Sequence, residues 1–148
     1  MKNSVSSDLL AKKFILLARL MEVSRDNPFK IRTYRFASRV IANKKSDLTR
    51  SEINALSNIK GIGNAIVEKS IEFLETGTIK KIEEIKERFP PTILKLVTET
   101  DIPLSIISAI WKDYMIVSED EIIGFLAERR EQLKLSQRQI IDVEKALG

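Results

Sequence analysis

Leu56-Ser57-Asn58-Ile59-Lys60-Gly61-Ile62-Gly63-Asn64-Ala65-Ile66-Val67-Glu68-Lys69 reads as a short helix, a two-glycine hairpin and the start of a second helix. Glycine has no Cβ, so Gly61 and Gly63 let the chain turn tightly and let an anion approach main-chain N–H groups. The helix opening at Asn64 would aim its positive dipole end at that anion. Ile59 and Ile62 would plug the hairpin into the core. The same spacing also suits a plain interhelical turn, so on spacing alone both readings stay open.

Outward from the hairpin, apolar residues recur at spacings of three and four while Gly and Pro fall mostly at helix ends, which predicts an all-α fold. A first helix is expected from Ser7 to Val23, with Leu9, Leu10, Phe14, Leu17 and Met21 facing inward. Asn27 as N-cap with Pro28 in the first helical position opens a second, running to about Ala42. Lys44-Lys45-Ser46 reads as a turn. Thr49 and Glu52 form a capping box for a short helix ending near Ser57, and a longer helix from Asn64 to Thr76 is closed by Gly77. A helix from Ile79 to Phe89 follows, and Pro90-Pro91 breaks the chain.

Past that break the pattern predicts helices from Thr92 to Thr98 and from Leu104 to Tyr114. Two more are opened by capping boxes at Ser118/Glu121 and Ser136/Gln139. The expected division is residues 1–89 and 90–148. A weak repeat links the halves: Gly61-Ile62-Gly63 and Asp101-Ile102-Pro103 lie 40 residues apart, with Ile66, Val67 and Ile71 answered by Ile106, Ile107 and Trp111. The second copy has lost its glycines.

An apolar fraction of 43% supports a real core. There is no Cys or His, which excludes disulfides, thiolate nucleophiles, the usual zinc sites and every Ser-His or Cys-His dyad. No apolar run reaches the ~18 residues of a membrane span, so no membrane association and an intracellular setting are expected. The net charge of +4 is mild, but it is unevenly spread. Residues 1–45 carry 11 basic and 3 acidic groups, residues 46–100 carry 8 and 9, and residues 101–148 carry 6 and 9. Such asymmetry suits a one-sided polyanion binder, and a merely solvated basic face suits it as well. Glu119-Asp120-Glu121 reads as the acidic first turn of a helix rather than a metal cluster.

The hairpin stretch resembles the helix-hairpin-helix motif, and more closely the lyase domain of family X DNA polymerases of the polymerase beta kind. Asn27-Pro28-Phe29-Lys30 through Tyr34-Arg35-Phe36-Ala37 looks like that family's second helix. Gly61 to Gly77, followed by Lys80-Lys81-Ile82-Glu83, looks like its hairpin and next helix. Ile110-Trp111-Lys112-Asp113-Tyr114 and Gln132 to Gln139 resemble its second hairpin and thumb-type helices, so the likeness runs from about Leu9 to Leu147. The resemblance implies a helix-hairpin-helix bundle followed by a second, degenerate module.

It further implies binding of DNA backbone, with gapped DNA and 5′-phosphate ends favoured, in DNA repair. Hairpin contacts fall to Lys60, Gly61, Ile62, Gly63, Asn64 and Ala65. Lys30 and Lys81 match positions that bind a 5′ phosphate, and Tyr34 and Arg35 match the helix lining the pocket. Lys69 matches the lysine that forms a Schiff base with a 5′-deoxyribose phosphate, chemistry that needs a partly neutral amine. The alternative for Lys69 is a lysine snorkelling at the edge of the Ile62, Ile66 and Phe73 stripe. No cofactor is required, although K+ or Na+ could be held by the carbonyls of Ser57, Ile59 and Ile62.

The chain also departs from the family pattern. Neither a palm nor polymerase activity is expected. Asn64-Ala65 stands where the family usually places a phosphate-gripping lysine, and Asp101 and Pro103 replace both glycines of the second hairpin. These losses suit a second reading, a helical adaptor that binds a protein partner through the C-terminal half. Lys30, Arg32, Arg35 and Arg39 lie on or near one helix, where phosphate contact and solvation fit equally. Phe29, Tyr34, Phe36 and Trp111 are expected in the core.

Overall fold

A computed structural model describes residues 3–148. In chain order the elements are β1 (Ser4–Ser6), α1 (Ser7–Val23), α2 (Pro28–Ala42), β2 (Asp47–Thr49), α3 (Arg50–Ala55), a 3-10 turn (Leu56–Asn58), α4 (Asn64–Thr76) and α5 (Lys80–Glu87). Then come α6 (Pro91–Glu99), α7 (Leu104–Ser108), a π-turn (Ala109–Asp113), α8 (Glu119–Glu128) and α9 (Gln137–Leu147). The architecture is all-helical, apart from one short ribbon.

The chain forms two compact units that do not follow chain order. The first comprises the residues up to Ala18 with Asn27–Glu84, and the second Arg19–Asp26 with Ile85–Gly148. The division therefore falls inside α1 and α5 rather than at the Pro90-Pro91 break.

In the first unit, Leu10, Phe14 and Leu17 of α1 are fully buried, and Phe14 stacks on Tyr34 of α2 with ring centroids 6.1 Å apart. Leu9 is the exception to the expected inward face, at 54% exposed. Successive residues are turned ~100° about a helix, and the stripe through Leu10 leaves Leu9 to one side. Helix α2 starts as expected: the Asn27 side chain accepts from the Phe29 N–H at 2.9 Å, and Pro28 follows. Its buried residues are Ile31, Tyr34, Ala37, Ser38 and Ile41, and the buried Ser38 hydroxyl donates to the Ala11 carbonyl at 2.9 Å.

The ribbon was not foreseen. Residues 4–6 pair antiparallel with 49–47, placing Val5 opposite Leu48, and both side chains are buried. Three-residue strands are too short for an alternating pattern to register. Thr49 closes β2 and also caps α3 in a full capping box with Glu52. The short helix expected to end near Ser57 changes to a 3-10 turn at Leu56, and α5 starts one residue later than expected. Ile79 is buried at its cap position, where its carbonyl accepts from the Ile82 N–H at 3.0 Å.

In the second unit, Leu20, Met21 and Val23 share a core with Ile93, Leu96, Val97, Ile107, Ile110, Ile122, Leu126 and Val143. Helices α6 and α8 both pack on α9. The helix expected from Leu104 to Tyr114 is interrupted: after Ser108 it widens to a π-turn, where Tyr114 N–H donates to Ala109 O at 2.9 Å. The Ser136/Gln139 capping box is complete. At Ser118 the hydroxyl accepts from the Glu121 N–H and donates to the Glu121 carboxylate at 3.0 Å. The acidic triplet 119–121 is the first turn of α8. No helix of the described residues is long and apolar enough to cross a membrane.

Candidate nucleic-acid interface

The hairpin is built from the core outward. Leu56 is buried, and its carbonyl accepts from the Ile59 N–H at 3.0 Å; the Ile59 carbonyl then accepts from the Ile62 N–H at 3.0 Å, closing the turn 59–62. Ile62 is buried and Ile59 half-buried, so the expected plug is chiefly Ile62. Lys60 stands exposed at the tip.

The two glycines are there for different reasons. Gly61 has φ +97°, the left-handed region that side chains rarely adopt, and a Cβ there would lie 2.8 Å from Phe36 Cε2. The protein's own fold requires it. Gly63 is extended, with φ −98° and ψ −177°, and a Cβ on it would meet nothing within 4 Å. Neither conformation nor internal packing calls for glycine at 63, so its missing side chain leaves open space on the outer side of the hairpin.

That space faces an uncapped helix. Gly63 is the N-cap of α4 and makes no side-chain cap bond; its carbonyl accepts from Ile66 N–H at 3.2 Å and Val67 N–H at 3.4 Å. The first N–H groups of a helix have no partner within it and point along the axis. Those of the exposed residues Gly63, Asn64 and Ala65 are thus presented outward at the positive end of the helix dipole.

The other expected cations lie on helices of the same unit. Lys30 is exposed on α2, Arg35 is half-buried on the same helix, and Lys81 is half-buried on α5. Lys30, Lys60 and Lys81 make no ion pair among the described residues. Lys69 is half-buried on α4, with Nζ 5.7 Å from the centroid of the buried Tyr34 ring, so the structure brings these two expected residues together. Sequence reasoning missed Lys13, whose Nζ lies 5.9 Å from the Phe73 centroid, one turn along α4 from Lys69. Only the helix packing reveals it. Phe36 was also missed as the wall that excludes a side chain at Gly61.

Phe29 corrects the expectation of a core residue: it is 70% exposed, with the Arg32 guanidinium 5.7 Å from its ring centroid. It sits two residues before the buried Ile31, on the opposite side of α2. Trp111 is likewise half-buried rather than fully in the core. Charge divides between the units. The first carries 14 basic and 8 acidic residues, a net +6, and the second 11 and 13, a net −2.

A glycine hairpin feeding an uncapped helix start on a cationic helical unit defines a class of proteins that hold anionic backbones by main-chain N–H groups. The chain belongs to the helix-hairpin-helix domain family, which matches residues 6–79, half of its length. This membership supports sequence-nonspecific DNA binding. No curated protein matches the chain.

Proposed function

We propose that the protein grips the DNA backbone at the 59–65 hairpin and selects gapped DNA or 5′-phosphate ends in repair. The observation that carries this reading is Gly63, whose missing side chain serves nothing inside the protein and clears the approach to the α4 N–H groups. Lys60, Lys30 and Lys81 add unpaired positive charge. Main-chain donors and lysines contact phosphates without reading bases, so recognition would be independent of sequence. The exposed Phe29, flanked by Arg32, offers a stacking face for an unpaired base and favours gapped over intact DNA.

The resemblance to family X lyase domains extends the proposal to Lys69. Its amine would attack the aldehyde carbon of a 5′-deoxyribose phosphate, lose water to form a Schiff base, and so permit β-elimination of the 3′ phosphate. The half-buried position beside Tyr34 supports this role. Among the described residues no cluster of His, Cys, Asp or Glu could hold a metal ion. Following the same resemblance, a K+ or Na+ ion would be held by the carbonyls of Ser57, Ile59 and Ile62, neutral oxygen donors that suit it, and would add positive charge beside the phosphate.

The second reading, an adaptor for a protein partner, is favoured by Tyr114, Met115 and Val117, which expose apolar surface in the net-acidic unit. One experiment separates the readings. Borohydride trapping on gapped DNA bearing a 5′-deoxyribose phosphate is run with wild type and Lys69→Ala, recording affinity for both. An adduct lost in the variant with binding retained establishes the lyase. Salt-sensitive binding without an adduct leaves a backbone-binding module, and no binding favours the adaptor.

A further inference from the structure

A cleft of about 380 Å3 in the second unit lies outside the hairpin, and apart from Ser24, Arg25 and Asp26 its lining falls outside residues 6–79. Its walls bring together Arg25, Arg88, Phe89, Trp111 and Lys112. Two unusual pieces of backbone build it. Arg25 has φ +60°, a left-handed conformation that is costly for a long side chain. Trp111 and Lys112 lie in the π-turn, a rare insertion that often marks functional positions.

One polar clip joins these irregularities. The Arg25 guanidinium donates to both Asp113 oxygens at 2.8 and 2.7 Å and to Ser108 Oγ at 3.0 Å, and the Ser108 hydroxyl donates to the Val23 carbonyl at 2.8 Å. This charge-assisted pair holds the Asp113 carboxyl below its ordinary range. Arg25 is thereby neutralised and serves as a brace for the turn. The remaining cations differ. Arg88 and Lys112 are exposed and make no ion pair among the described residues, although their unit is net negative. Asp26, the carboxylate on the lining, is already engaged in intramolecular contacts. Lys112 Nζ rests 3.8 Å above the Trp111 ring, and Trp111 packs against Phe89 with centroids 4.7 Å apart.

We infer that this cleft is a second DNA contact, specific for an unpaired nucleotide, in which Arg88 and Lys112 hold the phosphate and the half-buried Trp111 ring, backed by the buried Phe89, receives the base. Two uncompensated cations beside an aromatic wall match the two parts of a single-stranded nucleotide. A paired base stays in its own stack and cannot reach such a wall. The inference rests on the DNA-binding reading for the identity of the polyanion, but its residues are separate from the hairpin.

Trp111 is the only tryptophan, so its emission reports on this cleft alone. The full-length chain is titrated with an end-labelled oligo-dT strand, following both label anisotropy and Trp111 emission. Duplex DNA is titrated in parallel. Recruiting Lys112 from above the indole to a phosphate should change the emission saturably, in step with anisotropy. Arg88→Gln and Lys112→Gln together should abolish that change and lower the log–log salt slope on single strands by about 1.4, at ~0.7 per phosphate. Arg88→Gln alone leaves the indole environment intact and should lower the slope by about 0.7. Gly63→Val should weaken duplex binding yet keep the emission change on oligo-dT. The inference is overturned if oligo-dT binds with flat Trp111 emission and an unchanged slope in the double variant, while duplex binding through the hairpin would still stand. An equal emission change with polyglutamate would overturn the assignment to nucleic acid.

Discussion

The hairpins at 59–67 and 99–107 share a frame and differ on their outer side. Ile62 and Ile102 are both buried plugs. The carbonyl at the cap position accepts from the same two N–H groups in each: Gly63 O from Ile66 and Val67, at 3.2 and 3.4 Å, and Pro103 O from Ile106 and Ile107, at 3.0 and 3.1 Å. The turn itself is made differently. Ile62 N–H donates to the Ile59 carbonyl, whereas Ile102 N–H reaches Thr100 Oγ1 at 3.4 Å, and Asp101 needs no left-handed backbone where Gly61 does. On the outer side, Pro103 has no N–H to offer and Asp101 adds an exposed negative charge. Both hairpins have the buried plug and the cap-position carbonyl bonds, while the features suited to an anion are present only in the first.

The largest break in this comparison should come from Gly61→Ala. With φ +97° and Phe36 in the way, the substitution should cost about 2–3 kcal/mol of folding stability, read from urea denaturation. Gly63→Val tests the opposite prediction. Its stability should fall by no more than about 1 kcal/mol, the cost of a poor N-cap residue, because an extended backbone in open space accepts a side chain. DNA affinity should nevertheless fall about tenfold or more, as charge-assisted N–H contacts worth ~1.5–3 kcal/mol are blocked. If both glycine variants lose stability alike, the division of roles between them is wrong.

A gain-of-contact variant sharpens the same comparison. Asp101→Gly with Pro103→Gly returns the missing N–H and removes the negative charge. It should steepen the salt dependence of duplex binding by about 0.9 if one phosphate is engaged, and an unchanged slope would show that more than these two residues was lost. The smallest effect concerns the clip. Because Arg25 lowers the Asp113 pKa, stability from this pair is fully present above the ordinary carboxylate value of 3.8 and is lost as pH falls through the lowered native value. Asp113→Asn should therefore flatten the acid limb of a stability profile below about pH 4 and leave the hairpin's DNA affinity unchanged.

The helix boundaries were legible because their signals are local. Asn27-Pro28, Thr49/Glu52, Gly77 and Ser136/Gln139 each act on neighbouring backbone, and each stands where the sequence places it. The hairpin was legible for the same reason. Less visible were features set by residues distant in sequence. The ribbon pairs residues 4–6 with 47–49, and Lys13 meets Phe73 across sixty positions. The π-turn interrupts a segment whose apolar spacing reads as continuous helix, and its Asp113 is held by Arg25, 88 residues earlier.

The sequence by itself determined the helical class, the caps and the two-glycine hairpin, because periodicity, proline, glycine and capping side chains act within a few residues. Only the tertiary structure decided which glycine serves folding and which leaves room for a ligand, since that depends on Phe36 lying beside Gly61 and on nothing lying beside Gly63. It also decided that Lys69 sits by Tyr34 and that Phe29 faces outward, because helix packing sets which side of each helix meets a neighbour.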